Sequence, residues 1–115
     1  MSENYITVPG EQGDISISED VIAVIAATAI RESEGVAAMT TPPEPGVRSK
    51  GPGRGVRVSL EDGTIRVDAA ILARYGDSIA AIGERAQKSA VTAVENTTGL
   101  KCAVNIHVSG VSFDK

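Results

Sequence analysis

The residues best suited to chemistry in this 115-residue chain are four basic side chains in the segment RSKGPGRGVR. Arg48, Lys50, Arg54 and Arg57 lie close together in the sequence and alternate with glycines. Guanidinium and ammonium groups bind phosphates and carboxylates, so this cluster is a candidate site for an anion, for RNA or for an acidic partner protein. The alternative interpretation, which we favour, is a solvated and mobile loop.

The glycines of this segment do not match the known phosphate-binding patterns. The Walker pattern requires GxxxxGK followed by Ser or Thr, and the dinucleotide pattern requires GxGxxG at the start of a helix, whereas the glycines here lead into a strand. The run Gly51-Pro52-Gly53-Arg54 also lacks the helix-to-helix setting of a KH-domain loop. Anion or RNA binding through residues 48–57 is therefore kept only as the alternative function.

The sequence contains few other residues that are suited to catalysis. His107 is the only histidine, and the alternation of its strand directs it towards solvent, so we interpret it as an ordinary surface residue. Cys102 is the only cysteine, and we expect a buried small hydrophobe rather than a reactive thiol. Without a second histidine or a cysteine cluster, a zinc site of the usual kind is not expected. The sequence predicts a protein that is not an enzyme, with no catalytic residue, no cofactor and no metal.

The composition favours a globular protein with an aliphatic core. Hydrophobic residues make up 42% of the chain, charged residues 23%, and the only aromatic residues are Tyr5, Tyr75 and Phe113. So few aromatic rings make a base-stacking platform hard to build, and a net charge of −4 argues against a generally basic nucleic-acid binder. No secretory signal is visible, and the longest apolar run, Val21 to Ile30, is about half a membrane span. A cytoplasmic protein without direct membrane insertion is expected.

Two helices are predicted from capping residues and apolar periodicity. The first begins after Ser18, which precedes two acids, and Gly35 is its predicted C-cap. The second runs from Asp77 to Gly99, with Asp77 and Ser78 to supply a capping side chain at its start and a left-handed glycine at its end. One stripe of this helix is predicted to face the core; it consists of Ile79, Ile82, Gly83, Ala86, Ala90, Ala93, Val94 and Thr97.

Alternating residues predict the strands. They are expected near residues 13–17, 36–39, 56–61, 65–73 and 102–111, with a hairpin turn at Asp62-Gly63. From Ala69 to Ala73 both faces of the strand are apolar, which indicates either burial on both sides or a surface that meets another subunit. Ala70 and Leu72 are therefore the candidate self-association residues.

The order of these elements predicts an α+β fold in two layers. We expect a mostly antiparallel sheet of about four strands with two helices packed on one face. Residues 1–12 are predicted to be a flexible N-terminal segment, because Pro9 and Gly10 would interrupt any element that begins at Tyr5. Residues 13–115 are expected to form one domain with an exposed, Pro/Gly-rich loop at 40–55.

Several short motifs together resemble a known bacterial family. Glu34-Gly35-Val36-Ala37-Ala38-Met39 follows a helix, and Gly55-Val56-Arg57-Val58 leads into a hairpin. The second helix ends in Ala93-Val94-Glu95-Asn96-Thr97-Thr98-Gly99-Leu100, and the last strand reads Val104-Asn105-Ile106-His107-Val108-Ser109-Gly110-Val111. In this order the motifs are similar to those of the alkaline shock protein family, also called the envelope stress response protein family.

The resemblance implies a non-catalytic cytoplasmic interaction or scaffold protein of the envelope-stress class. It also implies self-association and recruitment by a partner, such as a membrane-anchored protein that holds the chain at the inner face of the membrane. We therefore expect a homo-oligomer, and we do not expect nucleic acid as a partner. The proline-rich loop departs from the family pattern, so the identity of the partner does not follow from the resemblance.

Overall fold

We describe the protein from a computed structural model that covers residues 5–41, 47 and 51–113. Within these residues the chain forms six strands and two helices. In chain order they are β1 (Tyr5–Gly10), β2 (Gly13–Ser18), α1 (Glu19–Arg31), β3 (Val36–Met39), β4 (Val56–Glu61), β5 (Thr64–Arg74), α2 (Ile79–Thr98) and β6 (Cys102–Ser112).

Strand β5 is the centre of a four-stranded sheet. β6 pairs with it in parallel along one edge, whereas β3 and β4 pair with it antiparallel. β3 and β4 share the second edge end to end and meet at Ala70, whose C=O accepts from Thr40 N–H (2.9 Å) and whose N–H donates to Gly55 C=O (3.4 Å). The predicted α+β fold with a mostly antiparallel sheet of four strands is confirmed.

Both helices cover one face of this sheet and contact each other. The odd-numbered residues of β5 from Ile65 to Ala73 face the helices and are buried. The core is aliphatic, as the composition predicts; its largest fully buried side chains are Ile6, Ile22, Ile30, Ile65, Ile71, Ile82, Val56, Val67 and Val94.

The predicted N-caps and turn are confirmed. Ser18 accepts a hydrogen bond from Asp20 N–H (3.1 Å) and Ser78 accepts one from Ala81 N–H (3.3 Å), which satisfies backbone donors at the start of each helix. Asp62 (φ 51°) and Gly63 (φ 78°) both have positive φ, as a tight hairpin turn between β4 and β5 requires.

The helix ends differ in how well they were predicted. Gly99 ends α2 in the left-handed conformation (φ 74°), as predicted, whereas α1 has Glu32 and not Gly35 as its C-cap. Gly35 has φ 95°, and a Cβ there would lie 2.5 Å from Cγ1 of Ile82. The glycine is therefore required by its backbone conformation and by the close approach of α2, and not by the end of α1.

The predicted core stripe of α2 is correct at its centre and wrong at its two ends. Ile82, Ala86, Ala90 and Val94 are buried, but Ile79, in the first turn of the helix, is 44% exposed. Thr97 is also exposed, and Thr98 is buried instead. Thr98 Oγ1 donates to Val94 C=O (2.9 Å) and accepts from Leu100 N–H (3.2 Å), so its burial leaves no polar group unpaired.

The N-terminal segment contains a strand, so the prediction of a flexible stretch over residues 1–12 is wrong for Tyr5–Gly10. This strand forms a two-stranded hairpin with β2 and contributes Ile6, 1% exposed, to the core. Pro9 is tolerated because each strand of a two-stranded ribbon has an outer edge, where a missing N–H costs no ladder hydrogen bond. Residues 1–4 lie outside the described residues.

The loop predicted at 40–55 is less exposed at its end than the sequence indicates. Gly53 and Gly55 are buried, and a Cβ at Gly53 would lie 3.0 Å from the Cβ of Ala23 on α1. Arg31 Nη1 also donates to Pro52 C=O (2.9 Å), which ties this turn to the end of α1. The prediction of an exposed loop is wrong here, since the absence of side chains allows the turn to pack against the helix.

Neither of the two helices in the described part of the chain is long and apolar enough to cross a membrane.

Candidate functional site

The sheet face opposite the helices, which we call the open face, carries a polar row across three strands. Arg57 on β4, Asp68 on β5 and Asn105 on β6 are aligned by the register of the sheet. Arg57 donates to Asp68 Oδ2 from Nη2 (3.0 Å) and from Nε (3.3 Å), and Asn105 Nδ2 donates to Asp68 Oδ1 (3.0 Å). Both oxygens of the carboxylate are therefore engaged.

The charge of Asp68 is stabilised by these contacts. Burial by itself raises the pKa of Asp68, but the hydrogen bonds from Asn105 and Arg57 and the charges of Arg57 and Arg66 outweigh it. The pKa of this carboxyl is consequently below its usual value, and Asp68 stays ionised and paired. Within the row the charges of Arg57 and Asp68 compensate each other, so the Asp68 carboxylate is not available as a free acid or base.

A shallow pocket of about 300 Å³ lies beside this row on the open face. Val47 from the 40–55 loop lines it together with Gly55, Ala70 and His107. His107 is exposed, as the sequence predicts, but the register brings it into the same pocket as Arg57 and Asp68, which no local signal indicated.

The four predicted cations are not shown to converge. Arg48 and Lys50 lie outside the described residues. Arg54 is exposed, and among the described residues Arg57 is the only one of the four that lines the pocket. Because Arg57 is paired with Asp68, its charge is already compensated within the chain.

Ala70 and Leu72, the candidate self-association residues, both lie on the open face. Ala70 is only 3% exposed and Leu72 is half-buried. Of the two alternatives that the sequence left open, burial on both sides therefore applies to Ala70 within the single chain. The role of the two residues in self-association stays a prediction.

An exposed cluster of Tyr75, Ile79 and Phe113, which we call the aromatic patch, was missed by sequence reasoning. Tyr75 and Phe113 are each 72% exposed, and their ring centroids are 4.9 Å apart at an interplanar angle of 34°. The two rings come together because β5 and β6 are parallel, so residues that follow the two strands meet at one end of the sheet. Only the parallel pairing could have revealed this cluster, since the two rings are far apart in the sequence.

The outer edge of β6 is a second feature of this surface. Among the described residues no strand pairs with it. α2 partly covers its first half, because Glu95 Oε2 accepts from Cys102 N–H (3.0 Å) and Gln87 Nε2 donates to Val104 C=O (2.7 Å). Cys102 is buried, as predicted, and burial together with the nearby charge of Glu95 raises its pKa to about 11, so its thiol is protonated and unreactive.

No three side chains of His, Cys, Asp or Glu among the described residues are grouped so that they could hold a metal ion. The site therefore consists of three surfaces: a neutral polar pocket on the open face, the aromatic patch and the outer edge of β6.

Comparison with known proteins identifies the family. The model of the alkaline shock protein family, described as having a cell envelope-related function, matches residues 7–113. Uncharacterized protein YqhY of Bacillus subtilis is 34% identical over 107 residues, which cover 89% of this chain and 79% of that protein. No solved structure matches the chain.

Two further relatives have similar sequence identity and coverage. Uncharacterized protein YloU of Bacillus subtilis is 32% identical over 86% of this chain and 88% of that protein. Uncharacterized protein Spy1535 of Streptococcus pyogenes is 31% identical over 90% of this chain and 82% of that protein. The family match and these relatives extend over nearly the whole chain, which therefore belongs to the alkaline shock protein family of cell envelope-related function.

Proposed function

We propose that this protein is a non-catalytic interaction and scaffold protein of the envelope-stress class. It acts in the cytoplasm, associates with itself and is brought to the inner face of the membrane by a partner protein. Membership of a family with a cell envelope-related function supports the general role. The paired carboxylate of Asp68 and the protonated thiol of Cys102 support an interaction surface over a catalytic one.

The aromatic patch is the observation that carries the proposal. Two of the three aromatic rings of the chain are 72% exposed and in contact with each other at a tilted angle, while the core contains no aromatic side chain. Burying such rings in a partner would remove a large apolar area from water, and aromatic side chains are enriched among the residues that dominate binding energy. The patch is therefore the proposed docking site for the recruiting partner.

Self-association is tested by sedimentation of the purified protein across a range of concentrations. We expect a mass that rises with concentration above that of the 11.8 kDa monomer. A strict monomer at the highest concentration would contradict the scaffold role.

Partner recruitment is tested by changing Tyr75 and Phe113 together to serine and isolating the tagged chain from the envelope fraction of its host. We expect the double variant to leave that fraction, because the proposed partner loses its apolar contact. The matched control is Tyr5→Ser, which removes a ring that is 56% exposed on the β1–β2 hairpin. Equal recovery of the wild type and the double variant would show that the patch does not recruit the chain.

The alternative function, an anion- or RNA-binding module, gains no specific support. Arg57 is paired, Arg54 does not line the pocket, and Arg48 and Lys50 lie outside the described residues. It remains testable by RNA titration at two salt concentrations, because binding through phosphate contacts weakens steeply with salt.

A further inference from the structure

We propose that the outer edge of β6 pairs antiparallel with the same edge of a second copy, so that the two sheets join into one. This inference rests on the self-association proposed above and names the surface that performs it. It concerns a different surface from the aromatic patch and from the predicted residues Ala70 and Leu72.

The sequence of β6 is the first argument. Its eleven residues, CAVNIHVSGVS, include no Lys, Arg, Asp, Glu or Pro. Strands at the edge of a sheet are usually protected against pairing by charges, by prolines or by short length, because their free N–H and C=O groups are a template for another strand. β6 has none of these three protections. The side chains of α2 over Cys102 and Val104 and the register irregularity that follows Val108 lie on either side of Asn105–Val108, so this middle part of the edge is chemically suited to pair.

The direction of its backbone groups is the second argument. Ile65 N–H donates to Lys101 C=O (2.8 Å), and in a parallel ladder alternate residues direct both of their backbone groups to the same side. The backbone N–H and C=O groups of Cys102 and Val104 therefore point away from β5. Their contacts with Glu95 and Gln87 of α2 also show this direction. By the same alternation Ile106 and Val108 direct their N–H and C=O groups outward.

A second copy fits this edge because β6 can pair with itself without placing charged side chains opposite each other. Pairing about a twofold axis at Ile106 places each Ile106 opposite its copy, Asn105 opposite His107 and Val104 opposite Val108. At Val104 the N–H of the copy takes the place of Gln87 Nε2, which donates to Val104 C=O in the single chain. Every side chain then stays on its own face of the joined sheet, and no two like charges meet. Ile106 and Val108, which are half-buried at the rim of the core, become covered.

The groove beside the outer edge of β6 is compatible with a second copy as the occupant. It lies between α2 and β6, and Glu84, Arg85, Lys88 and Val91 line it. Because the groove contains both an acid and two bases around an apolar side chain, it does not select a strongly acidic or a strongly basic peptide. A twofold-related copy brings the same mixture of acidic and basic side chains to the groove, so no strong charge repulsion opposes its binding there.

The test uses proline at the central position. Ile106→Pro removes the outward N–H and blocks the edge, whereas the bonds from β6 to β5 come from the neighbouring residues and are kept. Ile106→Ala is the matched control, because it loses the side chain but retains the N–H. We expect the wild type and Ile106→Ala to associate in sedimentation, and Ile106→Pro to stay monomeric from the micromolar to the millimolar range.

The outcomes separate this inference from the proposed function. A wild type that is monomeric throughout overturns both self-association and the role of β6. Association that persists in Ile106→Pro leaves the scaffold role intact and overturns the assignment to this edge. Loss of association in both variants makes the side chain and not the backbone responsible, and also overturns strand pairing.

Amide hydrogen exchange on the wild type keeps the inference testable if Ile106→Pro does not fold. We expect the amides of Ile106 and Val108 to exchange more slowly as the protein concentration rises, because each copy protects the other. The amide of Asn105, which faces β5, is the internal control and should not change. Exchange at Ile106 that is independent of concentration would overturn pairing with a second copy.

Discussion

The two faces of β5 differ in chemistry although they alternate along the same eleven residues. On the covered face, Ile65, Val67 and Ile71 are fully buried beneath the helices. On the open face, Arg66 and Arg74 are exposed and Asp68 is engaged with Arg57 and Asn105. One strand thus supplies the core with one set of residues and the open face with the other.

This difference teaches that packing in the core and polar pairing at the surface are separated by the period of a strand. Successive side chains of a strand point to opposite faces. A substitution at one position therefore alters packing in the core, and the same substitution at the next position alters contacts at the surface. Pairs of variants that differ mainly in the face they affect test this separation.

The largest expected effect is on the covered face of β5. Ile71→Ala should lower the free energy of unfolding by about 2–5 kcal/mol, because a fully buried side chain is removed and leaves a cavity. Leu72→Ala, one residue further and half-buried on the open face, should cost clearly less. Urea unfolding of both variants measures the difference, and equal losses would contradict the separation of the two faces.

A second test overpacks the contact between α2 and the rest of the core. Ala90 is fully buried, so Ala90→Phe should cost about 1–3 kcal/mol as the helix is pushed from its neighbours. Ala80→Phe on the same helix is the control, because Ala80 is exposed and has room for a ring. If thermal unfolding shows wild-type stability for Ala90→Phe, this contact surface is misplaced.

The ion pair on the open face should matter less. Asp68→Asn keeps the size of the side chain and removes its charge, and we expect a loss of about 1 kcal/mol or less, since the pair is accessible to solvent. Added salt should reduce the difference from the wild type, whereas it should not reduce the effect of Ile71→Ala. A loss as large as that of Ile71→Ala would show that the open face also holds the fold together.

The smallest effect is the pH dependence that this carboxyl contributes. The pKa of Asp68 is lower in the folded chain than its usual value, so its contribution is complete above the unfolded pKa and is lost as pH falls through the folded pKa. The difference in unfolding free energy between the wild type and Asp68→Asn should therefore shrink with acidification. Asp77, whose pKa is also lowered, is present in both proteins and cancels in this difference; a difference that grows in acid would contradict the sign of the shift.

Much of the fold could be predicted because its signals are local. The caps at Ser18, Ser78 and Gly99 act through hydrogen bonds and backbone angles within a few residues, and the structure confirms each of them. The turn at 62–63 is confirmed for the same reason. The errors occurred where tertiary contact overrides a local signal: Gly35 is required by Ile82 of α2, and Tyr5–Gly10 becomes ordered by pairing with β2.

The candidate site was predicted less well because its parts are distant in sequence. Arg57 was singled out for its charge, but its partner Asp68 and the aligned Asn105 lie on two other strands. The aromatic patch likewise depends on where β5 and β6 end relative to each other.

The sequence by itself determined which segments become helices and most of the strands, which faces are apolar and that the core is aliphatic. These properties depend on the periodicity, the capping and the turn preferences of neighbouring residues. Only the tertiary structure decided that β6 runs parallel to β5, that its outer edge stays unpaired among the described residues, and that Tyr75 meets Phe113. These features depend on long-range register, which is set by how two helices and a sheet bury their apolar faces together.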